Sequence, residues 1–203
     1  MNEIPKGTRA KMEISTTEAS NPIKQDIKNG KLREFAYGKI PFNYGALPQT
    51  WENPILSHPV LGLQGDNDPV DVVEISTGAL PEGAVMEVKV LGALALIDEG
   101  EVDWKVIAVD AHSPLATKID DADDLENVMP GVISSIREWF RKYKTADGKP
   151  ENTFGFHEAV ISVKETKEVI AETHQVQKAQ KIILFQNLYR VYELQPLYYY
   201  IYI

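Results

Sequence analysis

Three aliphatic segments between residues 85 and 109 limit the folds that are open to this chain. They cover residues 85–91, 93–97 and 104–109, are rich in β-branched residues, and are separated by Gly92 and Gly100. Segments of this length and composition, punctuated by glycine, predict consecutive antiparallel β-strands. The centre of the chain is therefore predicted to be a β-sheet.

The rest of the chain adds further strands and two helices. Residues 11–14 and 31–35 have the residue pattern of strands, whereas residues 40–54, rich in Pro, Asn, Gly and aromatics, predict an ordered loop. Apolar residues recur at helical spacing over residues 132–143, and a second helix is predicted over roughly residues 160–174. Strands followed by helices predict an α+β domain, mainly β, in the form of a small barrel with helices packed outside.

The composition favours one globular domain. The chain has 203 residues, of which 43% are hydrophobic and 25% charged, enough for a sizeable core. Its formal charge of -9 argues against nucleic acid or an anionic membrane as the main partner. There is no cysteine, no secretory signal pattern and no apolar run long enough to span a bilayer. A soluble, cytoplasmic protein without disulfides is the resulting expectation.

The acidic stretch GDNDPVD, residues 65–71, is the strongest candidate for a functional site. In extended backbone Asp66 and Asp68 point to the same side, and Pro69 can redirect the chain so that Asp71 joins them. Three carboxylates that face one another repel strongly, and either a bound hard cation or a shared proton relieves the repulsion. The stretch therefore predicts a metal site.

Further charged residues lie on or beside the predicted strands. Asp98 and Asp103 stand at the two ends of the turn that joins two of the strands, so they should lie close together. The other candidates on strands are Glu13, Lys11, Arg33 and Lys105, and Tyr143 and Lys144 end the first predicted helix. Carboxylates that hold Mg²⁺, together with cationic side chains that neutralise phosphate oxygens, suit metal-assisted hydrolysis of a phosphoanhydride.

Each candidate also has a purely structural interpretation. The Asp-Asn-Asp-Pro segment could be an exposed turn, and the neighbouring opposite charges could be surface ion pairs of little energy. A calcium loop counted from Asp66 fails, because its sixth position is Asp71 instead of Gly and its twelfth is Thr77 instead of Glu. The acidic run at residues 120–124 is interpreted as a solvated loop that places charge at a helix N-terminus.

The chain also resembles a known family, the soluble inorganic pyrophosphatases of the eukaryotic type. The matching blocks are GDNDPVDVVEI, LGALALIDEGEVDWKVIAVD, NYGALPQTWENP, EIPKGTRAKMEI, NPIKQDIKNGKLR and EWFRKYKTADGKPEN. They cover about Glu3 to His174, and the D-N-D-P-V-D motif is highly specific. The resemblance implies a five-stranded barrel of the OB type with helices outside, in a pyrophosphatase domain of residues 1–174. It also implies hydrolysis of pyrophosphate to two orthophosphates with several Mg²⁺ ions.

The resemblance implies roles for individual residues. The implied metal ligands are Asp66, Asp71, Asp98, Asp103 and Glu13. The implied substrate-binding residues are Lys11, Arg33, Tyr44, Lys105, Tyr143 and Lys144. The implied catalytic residues are Asp68, as the general base that orients the attacking water, together with Tyr44, Lys105 and Arg33. Glu3 is similar to a supporting acidic residue at the site.

The sequence departs from the family's pattern in three places. Position 40 is Ile where a second active-site Tyr is expected, in a shortened segment where Tyr37 could partly substitute. Family members carry strand and extension before the Glu-Ile-Pro block, which predicts a truncated form. Residues 175–203 form a Tyr-rich tail of unknown role, in which residues 197–203 have the composition of an aggregation-prone segment.

Two other functions are compatible with the same residues. A non-enzymatic interaction protein is favoured by Ile40 and by the altered ends, and a metallophosphatase acting on nucleotides would need a base pocket that the sequence does not supply. The resemblance also implies a homodimer with Trp51 at the interface.

Overall fold

The computed structural model describes residues 1–76 and 78–192. Its strands are β1 Asn2–Ile4, β2 Met12–Ile14, β3 Ile23–Gln25, β4 Ile27–Lys28, β5 Lys31–Leu32, β6 Asn43–Ala46, β7 Asp71–Glu74, β8 Val88–Asp98, β9 Glu101–Asp110 and β10 Thr153–Phe154. Its α-helices are α1 Ala122–Val128, α2 Val132–Lys142 and α3 Val163–Tyr192, and short 3-10 turns cover Thr145–Asp147 and Phe156–Glu158. The mainly β, α+β fold is confirmed.

Six strands form the main sheet, in the order β1-β6-β7-β9-β8-β10. All neighbouring pairs are antiparallel except β7 and β9, which run parallel. Strands β2 with β3 and β4 with β5 form two small antiparallel pairs beside it. The parallel pair places Asp71 directly opposite Lys105. Two residues that are far apart in sequence thus become neighbours at the sheet's centre.

The two longest strands are buried on both faces. Along β9, Trp104, Val106 and Ala108 pack into one hydrophobic cluster, whereas Ile107 and Val109 pack into the other. Because side chains alternate between the two faces of a strand, an uninterrupted apolar run is what a doubly covered strand requires. Helices α1 and α2 cover one face, and α3 covers the other through Val169 and Ile170.

Helix α2 confirms the helix predicted over residues 132–143. It buries Ile133, Ile136, Trp139 and Phe140, which recur at helical spacing on one side. Trp139 stacks on Tyr143 with ring centroids 5.2 Å apart and also meets Phe140 edge to face at 5.1 Å. These rings fix the end of α2, where the phenol of Tyr143 leaves the core.

Helix α3 begins where the sequence supplies a capping box. The backbone N–H of Ser162 donates to Glu165, and the N–H of Glu165 donates back to the Ser162 hydroxyl. The helix continues to Tyr192, well past the predicted end at residue 174. Residues 193–203, including the predicted aggregation-prone segment, lie outside the described residues.

Strand β8 corrects the prediction of a break at Gly92. It is one strand from Val88 to Asp98, with a bulge where the register shifts between Val90 and Gly92. Gly92 has φ +150°, and a Cβ there would lie 2.5 Å from Val160 Cγ1. The glycine therefore allows the strand to continue under the segment that leads into α3.

Two other local predictions were also wrong. Residues 43–46, predicted as loop, form β6, because Gly45 lets the backbone of β1 approach to pair with it; a Cβ there would lie 2.9 Å from Asn2 Cα. The strand predicted over residues 31–35 shrinks to Lys31–Leu32.

The prediction for the acidic run at residues 120–124 is confirmed. Asp121 caps α1 by accepting hydrogen bonds from the backbone N–H groups of Asp123 and Asp124, so the run does begin a helix. Among the described helices, none has the length and apolar character that crossing a bilayer requires.

Candidate active site

A cavity of about 290 Å³ opens between the end of the main sheet, the β2–β3 pair and the end of α2. All of the residues predicted to form the site line this cavity. These residues are Glu3, Lys11, Glu13, Arg33, Tyr44, Asp66, Asp68, Asp71, Asp98, Asp103, Lys105, Tyr143 and Lys144. The fold thus brings together residues from six separate stretches of sequence.

Lys105 lies at the centre of the cavity's floor. Its side chain is 2% exposed, and its Nζ lies 2.5 Å from Asp71 Oδ2 and 2.5 Å from Asp103 Oδ1. It also donates to the Tyr44 hydroxyl at 2.8 Å, and that hydroxyl in turn donates to Asp71. Burial lowers the pKa of Lys105, but the carboxylates of Asp103 and Asp71 outweigh it, so that the pKa is raised well above its usual range. The amine is therefore a fixed positive charge.

The tip of the β8–β9 hairpin also lines the cavity. Asp98 at its tip accepts hydrogen bonds from Tyr143 Oη at 2.8 Å and Lys144 Nζ at 2.6 Å. Leu96 of β8 pairs with Asp103 of β9, which puts both aspartates at the same end of the hairpin, as predicted. The hairpin thus links the end of α2 to the floor residues.

The β2 side supplies a second positive region. Lys11 forms an ion pair with Glu13, and Arg33 forms one with Asp26. Burial, followed by the positive charge of Arg33, lowers the pKa of Lys11. Asp26 is a partner that the sequence did not indicate. Lys11 and Arg33 line the same cavity as Lys105.

Glu3 is buried at the back of this region. It is 6% exposed, and its carboxylate accepts the backbone N–H of Ile14 at 2.7 Å. Burial, reinforced by the negative charge of Asp71, raises its pKa from 4.5 to about 7. The group thus holds a proton far more readily than an exposed glutamate.

The acidic stretch is a turn and not the extended segment that was predicted. The backbone N–H of Asp68 donates to Asp66 Oδ1 at 3.0 Å, and Asn67 has φ +73°. The turn, together with the start of β7, is what directs Asp66, Asp68 and Asp71 toward the cavity. Although Asp68 is exposed, partial loss of solvent around its carboxyl group, and then the charge of Asp71, raise its pKa.

Glu52 is an acidic residue of this region that sequence reasoning missed. One carboxylate oxygen each from Glu52, Asp66 and Asp103 lie within 4.8 Å of one another. Burial raises the pKa of Glu52 and Asp103 well above the usual range, and it raises that of Asp66 to about 7. Glu52 stands alone between Trp51 and Asn53, so no spacing pattern marked it.

Ile40 does not face the cavity. Its side chain is fully buried in the hydrophobic core, and Tyr37 is 40% exposed and is not among the lining residues. Tyr37, named as a partial substitute for the phenol that is missing at position 40, therefore does not line the cavity. Ile40 is a core residue here.

Comparisons with known proteins point in one direction. A family model described as inorganic pyrophosphatase matches residues 1–178. The soluble inorganic pyrophosphatase 1 of the Chlamydomonas reinhardtii chloroplast is 53% identical over 173 residues, which are 85% of this chain and 61% of that protein. The mitochondrial inorganic pyrophosphatase of Saccharomyces cerevisiae is 49% identical over 180 residues, covering 85% of this chain and 58% of that protein.

A solved structure shows the same architecture. The N-terminal-domain-truncated vacuolar soluble pyrophosphatase of Trypanosoma cruzi, solved in complex with PPi, has a TM-score of 0.86 and 44% identity, covering 89% of this chain and 68% of that one. The chain spans roughly three fifths of the length of the two curated relatives above.

Proposed function

Because the chain belongs to the inorganic pyrophosphatase family, we propose that it hydrolyses inorganic pyrophosphate to two orthophosphates with Mg²⁺ as its cofactor. The observation that carries the proposal is the cavity itself, in which four cationic side chains and two phenols face five carboxylates that the sequence marked as metal ligands. Neither a phosphate site nor a metal site alone needs both sets. A metal-bound polyphosphate needs both.

The donor set fits a hard divalent cation. The acidic groups offer only carboxylate oxygens, which suit Mg²⁺, and three of them converge at Glu52, Asp66 and Asp103. We propose Asp66, Asp71 and Asp103 as holders of one ion, and Asp98 and Glu13, with Asp103, as holders of ions that come with substrate. A bound divalent cation supplies neutralisation of phosphate oxygens and acidification of a water.

The chain's own residues supply the rest of the chemistry. Lys11, Arg33, Lys105 and Lys144 bind phosphate oxygens as positive charges, and Tyr44 and Tyr143 donate hydrogen bonds to them. Because Lys105 is buried and already paired, it acts without moving, so the transition state meets a preorganised charge.

Asp68 is proposed as the general base. It is the exposed carboxylate of the acidic turn, and its raised pKa makes it a better proton acceptor than an ordinary aspartate. The proton of the attacking water passes to its carboxylate as the new phosphorus–oxygen bond forms. The leaving phosphate departs toward the cationic side chains.

We infer a homodimer that uses the surface around Trp51, whose indole N–H donates to Asn67 at 3.0 Å. The domain boundary near residue 174 and a cytoplasmic location are also proposals. Among the relatives, one has a chloroplastic name and another a mitochondrial name.

Orthophosphate release from pyrophosphate over a Mg²⁺ titration tests the proposed activity. Asp68→Asn removes the base with little change in shape and should lower kcat by about 100-fold or more. The control is Asp123→Asn, an exposed charge in the first turn of α1, which should leave kcat unchanged. If the folded wild-type chain releases no orthophosphate, a non-enzymatic interaction role is favoured. If it hydrolyses ATP at a rate comparable to that for pyrophosphate, the substrate class would be nucleotides instead of pyrophosphate.

A further inference from the structure

Glu52 is a buried acid with half of its carboxylate unused. It is 3% exposed, and its Oε1 accepts the backbone N–H of Trp104 at 2.9 Å. Its Oε2 is also buried, and among the described side chains, those of residues 1–76 and 78–180, no donor reaches it. An orphaned oxygen on a buried carboxylate is unfavourable, so its presence calls for a partner.

The backbone around Glu52 is fastened to the acidic turn. The N–H of Glu52 donates to the carbonyl of Asp68 at 2.9 Å, and the N–H of Asn67 donates to the carbonyl of Glu52 at 2.9 Å. Gly65 makes the approach possible, because a Cβ there would lie 2.6 Å from the carbonyl carbon of Glu52. These contacts hold Glu52 against the turn that carries Asp66.

The side chain of Glu52 is directed at two other carboxylates. One oxygen each from Glu52, Asp66 and Asp103 lie within 4.8 Å of one another, a spacing suited to ligands of a single ion, since divalent cations bind oxygens at about 2.0–2.6 Å. Lys105 is already shared by Asp71 and Asp103. Within the part of the chain that the structure describes, no cationic side chain pairs with Glu52.

We propose that Glu52 is a ligand of the divalent cation held by Asp66 and Asp103, with its Oε2 closing the buried side of that site. The inference rests on the proposed function, because it concerns a cation which that function requires. It assigns to the loop before the acidic turn a ligand that neither the motif nor its spacing indicated.

Cation binding by the full chain, measured without substrate, tests this assignment. Glu52→Gln keeps the oxygen that accepts from Trp104 and removes the negative charge at Oε2. We expect it to raise the dissociation constant for Mn²⁺, measured by titration calorimetry or electron paramagnetic resonance, by about 10- to 100-fold. Without cation the variant should melt at or above the wild-type temperature, and the rise in Tm on adding Mn²⁺ should shrink.

Glu126→Gln is a matched control. Glu126 also has one oxygen that accepts a backbone N–H, from Gly131, and another that is buried and unpaired. It lies in α1 and is not among the residues that line the cavity. Its substitution should leave the Mn²⁺ dissociation constant unchanged.

Three outcomes would overturn the assignment. Wild-type Mn²⁺ affinity in Glu52→Gln would mean that the carboxyl group carries a proton and only supports the loop. If Glu52→Gln fails to fold without cation, the expected relief of carboxylate repulsion is contradicted. If Glu52→Asp, whose side chain is one methylene shorter, binds Mn²⁺ with wild-type affinity, direct ligation by Glu52 is contradicted. If the wild-type chain binds Mn²⁺ through Glu52 but releases no orthophosphate, the proposed function fails while this assignment stands.

Discussion

The buried carboxyl group of Glu3 makes stability depend on pH in a way that one substitution can isolate. Its pKa in the folded chain is about 7, against an ordinary value of 4.5. A carboxyl group whose pKa is raised on folding favours the folded state while it is protonated. That contribution is complete below the unfolded pKa of 4.5 and is lost as the pH rises through 7.

The magnitude follows from the two pKa values. Between pH 5 and pH 8 the wild-type chain should lose about 2.5 kcal/mol from this group alone. Glu3→Gln imitates the protonated form and keeps an oxygen for the N–H of Ile14, so it should not show this loss. The free energy of unfolding of the variant, relative to wild type, should therefore rise by about 2.5 kcal/mol over the same range.

Urea denaturation in EDTA at pH 5, 6, 7 and 8 measures this difference. Glu82→Gln, at an exposed position, controls for the loss of one negative charge. A difference between Glu3→Gln and wild type that stays constant within about 0.5 kcal/mol across the range would refute the reasoning. Such a result would mean that the burial of Glu3 and the charge of Asp71 do not raise the pKa of Glu3 as the structure indicates.

Two further substitutions test the centre of the fold. Lys105→Met should lower the free energy of unfolding by about 3–5 kcal/mol at pH 7, because it removes the buried cation that is paired with Asp71 and Asp103. Urea denaturation measures this loss, and a difference from wild type below about 1 kcal/mol would contradict it. Gly92→Ala should cost about 1–3 kcal/mol in the same assay, because φ is +150° and the added Cβ would meet Val160; an unchanged melt would mean that the bulge adjusts freely.

Much of the site was predictable from the sequence because its residues come in compact motifs. Asp66 and Asp68 lie in one turn and Asp71 follows at the start of β7, whereas Asp103 and Lys105 lie on one face of β9. Local spacing is enough to mark such groups. The sheet's centre was predictable for a similar reason, since β8 and β9 are long, apolar and adjacent in the sequence.

What escaped prediction depends on contacts that are distant in sequence. The strand at residues 43–46 exists because β1 and β7 pair with it, and no local pattern announces either partner. Glu52 gains its meaning only when Gly65 brings its backbone against the acidic turn. Gly92 was predicted to end a strand because glycine occurs both at strand ends and at β-bulges, and the sequence alone does not distinguish the two.

The parallel pairing of β7 with β9 ties correct assembly to the site. Asp71 stands opposite Lys105 only in one register, and a shift of one residue would turn every side chain of one strand to the other face. Such a slip would bury Asp71 without its amine and expose part of the apolar run. A misassembled chain would therefore lose its core and its charge network in a single error.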